Sequence, residues 1–143
     1  MYIKQSELFM GTSMDFVKKF MDICELSSHK KGEVLFREND PADFFFILLN
    51  GHVKLCIGEP QQVIYSAERN GEAFGWSSLI GGKVYSASAE CLEPTKLLKT
   101  ASKELSRILE EDAENGIIFF KQLASSLGKR LLETYKMITP DKK

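Results

Sequence analysis

Hydrophobic and polar residues follow three successive patterns along the chain. From Met14 to Ile23 the apolar residues recur every three or four positions behind the capping pair Thr12-Ser13, which predicts a helix over Ser13–Cys24. Between about residues 26 and 100 the apolar runs are short and separated by turn residues, and from about 101 to 138 helical spacing returns. The pattern predicts a single domain over residues 1–143, in which a β region is flanked by helices (α+β).

The middle part of the chain contains short runs that predict β-strands. Phe44–Leu49 is continuously apolar, which indicates a buried strand, and Asn50-Gly51 directly after it is a typical hairpin turn. In the following run Val53, Leu55 and Ile57 alternate with polar or small residues, so this strand should turn one face to the core. The remaining predicted strands are Val34–Phe36, Val63–Ala67, Val84–Cys91 and Lys96–Thr100. Many short strands at this spacing predict an antiparallel barrel or sandwich.

Two helices are predicted after the strands. Ser102–Leu109 has helical spacing with Ser102 as its cap, and Ala113–Ile138 follows as a longer helix that Pro140 ends. The longer helix carries a near-heptad apolar stripe: Ile117, Phe120, Ala124, Leu127, Leu131 and Ile138. Further apolar residues lie off this stripe: Ile118, Phe119, Leu123 and Leu132. This surface favours packing against a second copy of the helix, over the alternative that both faces cover the same domain.

Composition and charge exclude several classes of partner. The net charge is −1 and the pI about 6.1, so no overall basic field attracts the chain to nucleic acid. The longest apolar run, Phe44–Leu49, is too short to span a bilayer, which predicts no membrane partner. The first residues, from Met1 on, contain no apolar signal core, and we therefore expect a cytoplasmic protein.

Residues that could support metal binding or catalysis are few. The three cysteines, Cys24, Cys56 and Cys91, are widely spaced without a C-x-x-C pair, so we expect them to be reduced and buried. The only histidines, His29 and His52, do not form an H-x-H pair, and the sequence predicts no metal site. No nucleophile elbow or P-loop is present either, so the chain is not expected to be an enzyme.

One glycine-rich stretch has the features of an anion site. Gly71 and Gly75 allow tight backbone turns, and Trp76–Ile80 behind them has the length of about one helical turn. Free N–H groups at the start of such a turn point at one place, and nearby serines would let a ligand approach the chain. The alternative is an ordinary glycine-rich loop between two strands, and on chemistry alone both interpretations stand equally.

Together these motifs resemble a known family. The successive segments Lys31-Gly-Glu-Val-Leu-Phe, Asn39-Asp-Pro-Ala-Asp-Phe, Asn50-Gly-His-Val-Lys-Leu and Gly71-Glu-Ala-Phe-Gly, followed by two helices, are similar to a cyclic-nucleotide-binding domain of the bacterial catabolite activator (Crp/Fnr-like) family. The resemblance runs from Phe9 to Ile138. It implies a double-stranded β-helix, or jelly-roll barrel, and a homodimer formed through the long C-terminal helix.

The resemblance also implies where a ligand would bind. In the family a glycine turn and a short helix form a phosphate-binding cassette. In this chain the residues that match the cassette pattern are Gly75, Ser78-Leu79 and Ser86-Ala87-Ser88, and Phe74 and Ser77 beside them are further candidates for ligand binding. Two recognition residues differ: Trp76 stands at the position of the glutamate that accepts from the ribose hydroxyl, and Tyr85 at that of the arginine that pairs with the phosphate. Glu72 matches a turn-forming residue and not the ribose glutamate.

These two replacements bear directly on ligand affinity. A charge-assisted hydrogen bond to phosphate is worth about 1.5–3 kcal/mol, so losing both partners removes on the order of a thousand-fold in affinity. Lys83 is two residues from the arginine position. Its ammonium group supplies a point charge but cannot make the paired hydrogen bonds to phosphate that an arginine guanidinium makes. Trp76 and Tyr85 either fill the pocket or stack on a planar ligand, and these alternatives stay open. Tight binding of cyclic AMP or cyclic GMP is therefore not expected, although backbone amides near Ser77 and Ser86 remain available to another small anion.

The last helix supplies two further candidates. In the family this helix contacts the nucleotide base, and Thr134 and Tyr135 lie in the matching part. Their alternative roles are a solvated helix residue for Thr134 and a dimer-core aromatic for Tyr135. Family transcription factors continue into a helix-turn-helix domain, whereas this sequence stops at Lys143, so we expect no direct contact with nucleic acid.

Two functional hypotheses follow from the residues and the resemblance. The first is a homodimeric sensor, not an enzyme, that binds a small anionic or nucleotide-like ligand and signals through Ala113–Ile138 to a protein partner. The second is a degenerate, ligand-free dimerisation or interaction module whose pocket is closed by Trp76 and Tyr85.

Overall fold

The structure, a computed structural model, describes residues 6–138 of the chain. The strands are β1 (Cys24–His29), β2 (Val34–Phe36), β3 (Phe44–Asn50), β4 (Val53–Ile57), β5 (Gln62–Ala67), β6 (Ala73–Phe74), β7 (Ser88–Cys91) and β8 (Thr95–Ala101). The helices are α1 (Met14–Ile23), α2 (Ser102–Glu111) and α3 (Ala113–Ile138), with short 3-10 turns at Glu7–Phe9 and Ser77–Ile80. The predicted helix end at Pro140 lies outside the described residues, as does the chain start at Met1.

The eight strands form two antiparallel four-stranded sheets, which confirms the predicted sandwich. The first sheet has the order β1-β8-β3-β6 and the second the order β2-β7-β4-β5. One core lies between the sheets, and a second lies where α1, α2, α3 and the first 3-10 turn cover the outer face of the first sheet. The fold therefore places helices on one side only, as expected for α+β patterning.

The turn at Asn50-Gly51 does not form the predicted hairpin. β3 pairs with β6 and β8, whereas β4 pairs with β5 and β7, so this turn carries the chain from one sheet to the other. Gly51 has φ +124°, and a Cβ atom there would lie 2.4 Å from the Oγ1 of Thr95. The prediction failed because a turn signal fixes the reversal of the chain but not the partner of the strand that follows.

The alternation predicted for β4 breaks at its end. A register shift in the pairing with β5 falls between Leu55 and Cys56. Cys56 is buried, while Ile57 is more than one-third exposed, the reverse of the predicted faces. A local irregularity of this kind adds twist and disturbs the regular alternation of side chains.

The strand predicted over Val84–Cys91 is shorter than expected. Only Ser88–Cys91 is a strand, and Val84 makes a single isolated bridge to Pro41. The main chain of Tyr85 instead exchanges hydrogen bonds with the turn before β3, donating to Asp40 and accepting from Asn39, each at 2.9 Å. The alternating apolar residues of this segment, Tyr85 and Ala87, do reach the core. The backbone at Tyr85 nevertheless pairs with a turn and not with a neighbouring strand.

Strand β1 was not predicted at all. It pairs with β8 along its whole length but lies at the edge of the first sheet. Its most apolar residue, Leu26, is 66% exposed. An edge strand without a buried apolar face carries no periodic signal in its sequence.

The start of α2 also differs from the prediction. Ser102 is the first helical residue and not the cap; Ala101 occupies the cap position, and no side chain caps the helix. β8 runs directly into α2, and the N–H of Ser102 donates to the carbonyl oxygen of Asp43 at 2.8 Å. Because no loop separates the two elements, Ser102 is buried at the junction.

Helix α3 has the predicted bounds but turns a different face to the domain. Gly116, Phe119 and Leu123 are buried, and Leu127 packs against the same core. Most of the predicted stripe faces solvent instead. The exposed large apolar residues of the helix are Ile117, Phe120, Leu131, Leu132, Tyr135, Met137 and Ile138. The prediction that α3 has more apolar surface than its own domain covers is thus confirmed.

Candidate functional site

The predicted cassette begins at the end of β6. Phe74 is fully buried, and Gly75 follows with φ +74°. A Cβ atom at Gly75 would lie only 2.8 Å from Cδ1 of Phe46, so the phenyl ring rests directly on the glycine. The predicted helical turn is present as Ser77–Ile80, closed by a hydrogen bond from the N–H of Gly82 to Ser77 at 2.8 Å.

Aromatic rings fill the space between the sheets beside this turn. Tyr85 is 3% exposed, and its ring stacks on Phe36 with centroids 3.8 Å apart. Its hydroxyl donates to the carbonyl oxygen of Phe44 at 2.8 Å and accepts from the N–H of the same residue at 3.1 Å. Phe46 and Phe74 stack nearly parallel beside them, at 5.2 Å. Burial raises the pKa of Tyr85, in keeping with a neutral phenol in the core.

The two replaced recognition positions lie in different cores. Tyr85 belongs to the core between the sheets, whereas Trp76 is half-buried against the core beneath the helices. The structure therefore does not bring these two side chains to one pocket wall.

The remaining predicted residues of the cassette are also dispersed. Lys83 and Ser86 are exposed, Ala87 is buried and Ser77 is half-buried. Ser78 and Lys83 line a groove of about 820 Å³ beside α2, while Tyr85 lines a separate cavity of about 380 Å³ together with His29 and Lys99. The predicted site residues thus face at least two separate spaces.

Thr134 and Tyr135 lie near the end of α3. Both are exposed, and the hydroxyl of Thr134 donates to the carbonyl oxygen of Arg130 one turn earlier, at 3.0 Å. Neither residue lines the groove beside α2 or the cavity beside Tyr85.

Sequence reasoning missed Arg130, which connects α3 to the turn before the cassette. Its Nη2 donates to the carbonyl oxygen of Ala73 at 2.6 Å, and its guanidinium lies 4.2 Å from the ring centre of Tyr65. The same group is 3.8 Å from the carboxylate of Glu72, which accepts hydrogen bonds from the hydroxyl of Tyr65 and from the main-chain N–H groups of residues 68 and 69. These residues border a cavity of about 240 Å³ that Arg69 and Lys129 also line.

A signal for Arg130 was present in the sequence. The domain-facing residues of α3 are Gly116, Phe119, Leu123 and Leu127. Their spacing of three or four leads directly to Arg130, whose side chain is only 15% exposed. An arginine that continues the buried face of a helix needs a partner in the core, and this one has Ala73 and Glu72.

Other chemistries find little support in the described part of the chain. Among residues 6–138, no group of three or more histidine, cysteine or acidic side chains is arranged to hold a metal ion. Cys56 and Cys91 are buried and Cys24 is half-buried, and none of the three forms a disulfide. Across the same range, no helix combines the length and apolar character needed to cross a bilayer.

Comparison with known proteins identifies the family. A family model for the cyclic nucleotide-binding domain matches residues 26–112, more than half of the chain. The structure is similar to that of a Geobacter metallireducens GS-15 protein described as cyclic nucleotide-binding, with a TM-score of 0.81, 27% identity, and coverage of 90% of this chain and 95% of that one. A cyclic nucleotide-binding domain from Methylobacillus flagellatus KT shares the fold, with a TM-score of 0.83, 24% identity, and coverage of 98% and 82%. These similarities confirm the predicted jelly-roll fold.

A relative among enzymes matches only in part. The cGMP-dependent protein kinase egl-4 of Caenorhabditis elegans is 24% identical over 106 residues, which are 72% of this chain. The matched region spans 14% of that kinase, so the similarity concerns one domain of a longer enzyme.

Proposed function

This chain belongs to the cyclic nucleotide-binding domain family, and we propose that it is a regulatory module that dimerises through α3 and does not bind cyclic AMP or cyclic GMP tightly. The family supports a regulatory role, and the proposal adds that the cassette of this member is closed. Under this proposal the module transmits its state to a protein partner without acting as an enzyme.

The observation that carries the proposal is the position of Tyr85. Its ring is stacked on Phe36 in the core, and both hydrogen bonds of its hydroxyl are made by the main chain of Phe44. A ligand that displaced the ring would have to break these contacts and expose the aromatic cluster. The closed form is therefore the stable one, since burying a large aromatic ring is worth several times RT.

Electrostatics support the same conclusion. A cyclic phosphate held in a dry cassette needs a cation or several aligned donors. Lys83 is exposed and lines the outer groove, and the inner position holds an uncharged phenol. The residues around Gly75 therefore do not fit a cyclic nucleotide bound in the manner that the family resemblance implies.

Dimerisation is supported by the outer surface of α3. Ile117, Phe120, Leu131 and Ile138 are between 39% and 73% exposed on a single helix. A helix whose second apolar face is uncovered gains free energy by packing on an identical helix. Arg130 links the domain-facing side of this helix to the barrel, so a change at the dimer contact would reach the turn at Ala73.

A second candidate function is a sensor whose ligand enters next to Arg130. The cavity between the turn before the cassette and α3 is lined by Tyr65, Glu72, Lys129 and Arg130. A small anion there would compete with Glu72 for the guanidinium and so loosen the link between helix and barrel. This candidate keeps the hypothesis of a ligand sensor but places the ligand beside Arg130 instead of in the cassette.

Isothermal titration with cyclic AMP and cyclic GMP tests the main proposal. Wild type, the double variant Trp76→Glu, Tyr85→Arg and the conservative variant Tyr85→Phe would be titrated side by side. We expect no measurable binding by wild type or by Tyr85→Phe. Binding by the double variant would show that these two replacements alone prevent nucleotide binding. Circular dichroism would establish that each variant is folded.

Micromolar or tighter binding by wild type would refute the closed cassette. Binding by wild type that Arg130→Met abolishes, with Tyr85→Phe unchanged, would favour the second candidate. Sedimentation of the wild type as a monomer over a wide concentration range would separately refute dimerisation.

A further inference from the structure

A groove on the outside of the domain separates the cassette turn from α2. It has a volume of about 820 Å³, which is within the range of small-molecule sites. One wall is made by Ser78, Gly82 and Lys83, and the other by Ser102 and Lys103 at the start of α2. The groove adjoins the cavity beside Tyr85, because Asp43 and Phe44 line both, but Tyr85 itself lines only that cavity.

Two serine hydroxyls beside this groove lack hydrogen-bond partners. The Oγ atoms of Ser78 and Ser102 are buried, and neither has a partner among residues 6–138. Ser102 as a whole is 5% exposed. Buried hydroxyls are normally paired, and a serine changes rotamer at little cost, so both can turn toward a group placed in the groove. Two such hydroxyls on separate elements that line one groove indicate a ligand.

The start of α2 adds backbone donors and positive charge. The helix has ten residues, and no side chain caps its N-terminus. The first N–H groups of a helix have no partner within it and favour anions. The N–H of Ser102 already donates to the carbonyl oxygen of Asp43, so the donors offered to a ligand are the N–H groups that follow it. Lys83 and Lys103 are exposed on opposite walls, and neither has an ion pair within the described part of the chain. Arg107 also lines the groove, but its guanidinium is bound by Glu104 and Glu111.

Two carboxylates limit what the groove can accept. Asp43 and Glu110 line it as well, so it is not uniformly positive. Carboxylates accept hydrogen bonds from hydroxyl and amino groups but repel phosphate. We propose that this groove binds a phosphorylated small molecule, with its phosphate at Ser102, Lys83 and Lys103 and its hydroxyl or amino groups at Asp43 and Glu110. The groove uses the outer side of the cassette turn, through Ser78 and Lys83, but not Tyr85 or the exposed apolar face of α3. Ligand binding there can therefore be tested independently of the closed cassette and of dimerisation.

The test uses the full chain labelled with ¹⁵N and titrated with inorganic phosphate and with ribose 5-phosphate. We expect saturable shifts of the amides of Gly82, Ser102 and Lys103, and tighter binding of ribose 5-phosphate than of phosphate. The double variant Lys83→Gln, Lys103→Gln should weaken binding about fivefold or more. The matched control is Lys18→Gln, Lys121→Gln, which removes the same charge at exposed positions that do not line the groove.

Ser102→Ala separates a ligand role from a structural one. The variant removes a hydroxyl that has no partner in the fold, so its melting temperature should be equal or higher while its affinity for ribose 5-phosphate falls. The proposal is overturned if no amide shifts saturate, if both double variants weaken binding equally, or if the shifts centre on Ser77 and Ser86 instead. It is also overturned if Ser102→Ala lowers the melting temperature and leaves binding unchanged.

Discussion

Arg130 and Ala73 are 57 residues apart in sequence, and the guanidinium of the first donates to the carbonyl oxygen of the second at 2.6 Å. This bond joins α3 to β6, the short strand that leads into Gly75 and the cassette turn. Burial lowers the pKa of Arg130, and the nearby carboxylate of Glu72 opposes this shift, so the guanidinium remains charged. One side chain thus links α3 to the strand that leads into the cassette turn.

Replacing Arg130 should weaken this coupling and the fold together. Arg130→Met keeps much of the side-chain volume but removes the donor to Ala73 and the charge beside Glu72, whose side chain is 8% exposed. We expect a loss of about 2 kcal/mol in the free energy of unfolding, measured in urea. The control is Lys129→Met, because Lys129 is 65% exposed and its ion pair with Glu7, at 3.5 Å, lies at the surface. Equal losses of unfolding free energy in the two variants would mean that the hydrogen bond from Arg130 to Ala73 does not stabilise the fold.

The contact between Gly75 and Phe46 makes a second prediction. Gly75→Ala adds a methyl group that would lie 2.8 Å from the ring and also strains a backbone with φ +74°. Gly81→Ala is a matched control, because its φ is +95° but nothing lies within 4 Å of the added atom. We expect Gly81→Ala to cost about 1 kcal/mol from backbone strain alone and Gly75→Ala to cost about 2–3 kcal/mol. Thermal unfolding of the two variants would measure the difference, and similar costs would show that the ring can move aside.

Local patterns predicted most elements of the fold but not their pairing. The bounds of α3 and the cap of α1 at Ser13 follow from spacing and capping chemistry, which act within a few residues. The partner of β4 depends on which residues bury together across the two sheets, and the turn at Asn50-Gly51 carries no such information. The sequence of β1 has no apolar alternation that would predict a strand, because this edge strand pairs with β8 through its backbone and buries no apolar face.

The glycine turn and the short helical turn of the candidate site were predictable from the sequence, but the packing of side chains around them was not. The family resemblance predicted the cassette at Gly75, and the residues alone left open whether Tyr85 fills the pocket or stacks on a ligand. The ring that stacks on Tyr85 belongs to Phe36, about fifty residues earlier in the chain. The hydroxyl of Tyr85 pairs with the main chain of Phe44. Contacts between such distant segments exist only once the sheets have formed.

Dimerisation through α3 makes a third prediction. Leu131 is 50% exposed on the uncovered face of the helix, so Leu131→Glu places a charge at the proposed contact without entering the core. We expect the variant to dimerise at least about tenfold more weakly, since burying an unpaired carboxylate costs more than 1.4 kcal/mol. Analytical ultracentrifugation over a range of concentrations would measure this.

A matched variant controls for the added charge in that experiment. Ser125→Glu introduces the same group at an exposed position of the same helix, outside the apolar residues. It should dimerise like wild type. If Ser125→Glu and Leu131→Glu weaken the dimer equally, the contact does not involve the apolar face.

Cys24 makes a prediction about pH. Its Sγ lies 3.1 Å from the Oγ1 of Thr100, and burial raises the pKa of the thiol to about 11 from an ordinary value of 9.0, although the hydrogen bond to Thr100 acts in the opposite direction. The fold therefore favours the protonated thiol. Its contribution to stability is fully present below pH 9, where the unfolded chain also keeps the proton, and is lost as pH rises toward about 11.

Two measurements on Cys24 would check this shift. In the folded chain at about pH 8.5, Cys24 should react with iodoacetamide at least tenfold more slowly than in urea, because the thiolate is the reactive form. Unfolding free energies from pH 8 to about 10 should fall more steeply for wild type than for Cys24→Ala, in which this proton is absent. Rapid labelling of folded Cys24, or identical pH profiles for the two proteins, would contradict a half-buried, protonated thiol at the start of β1.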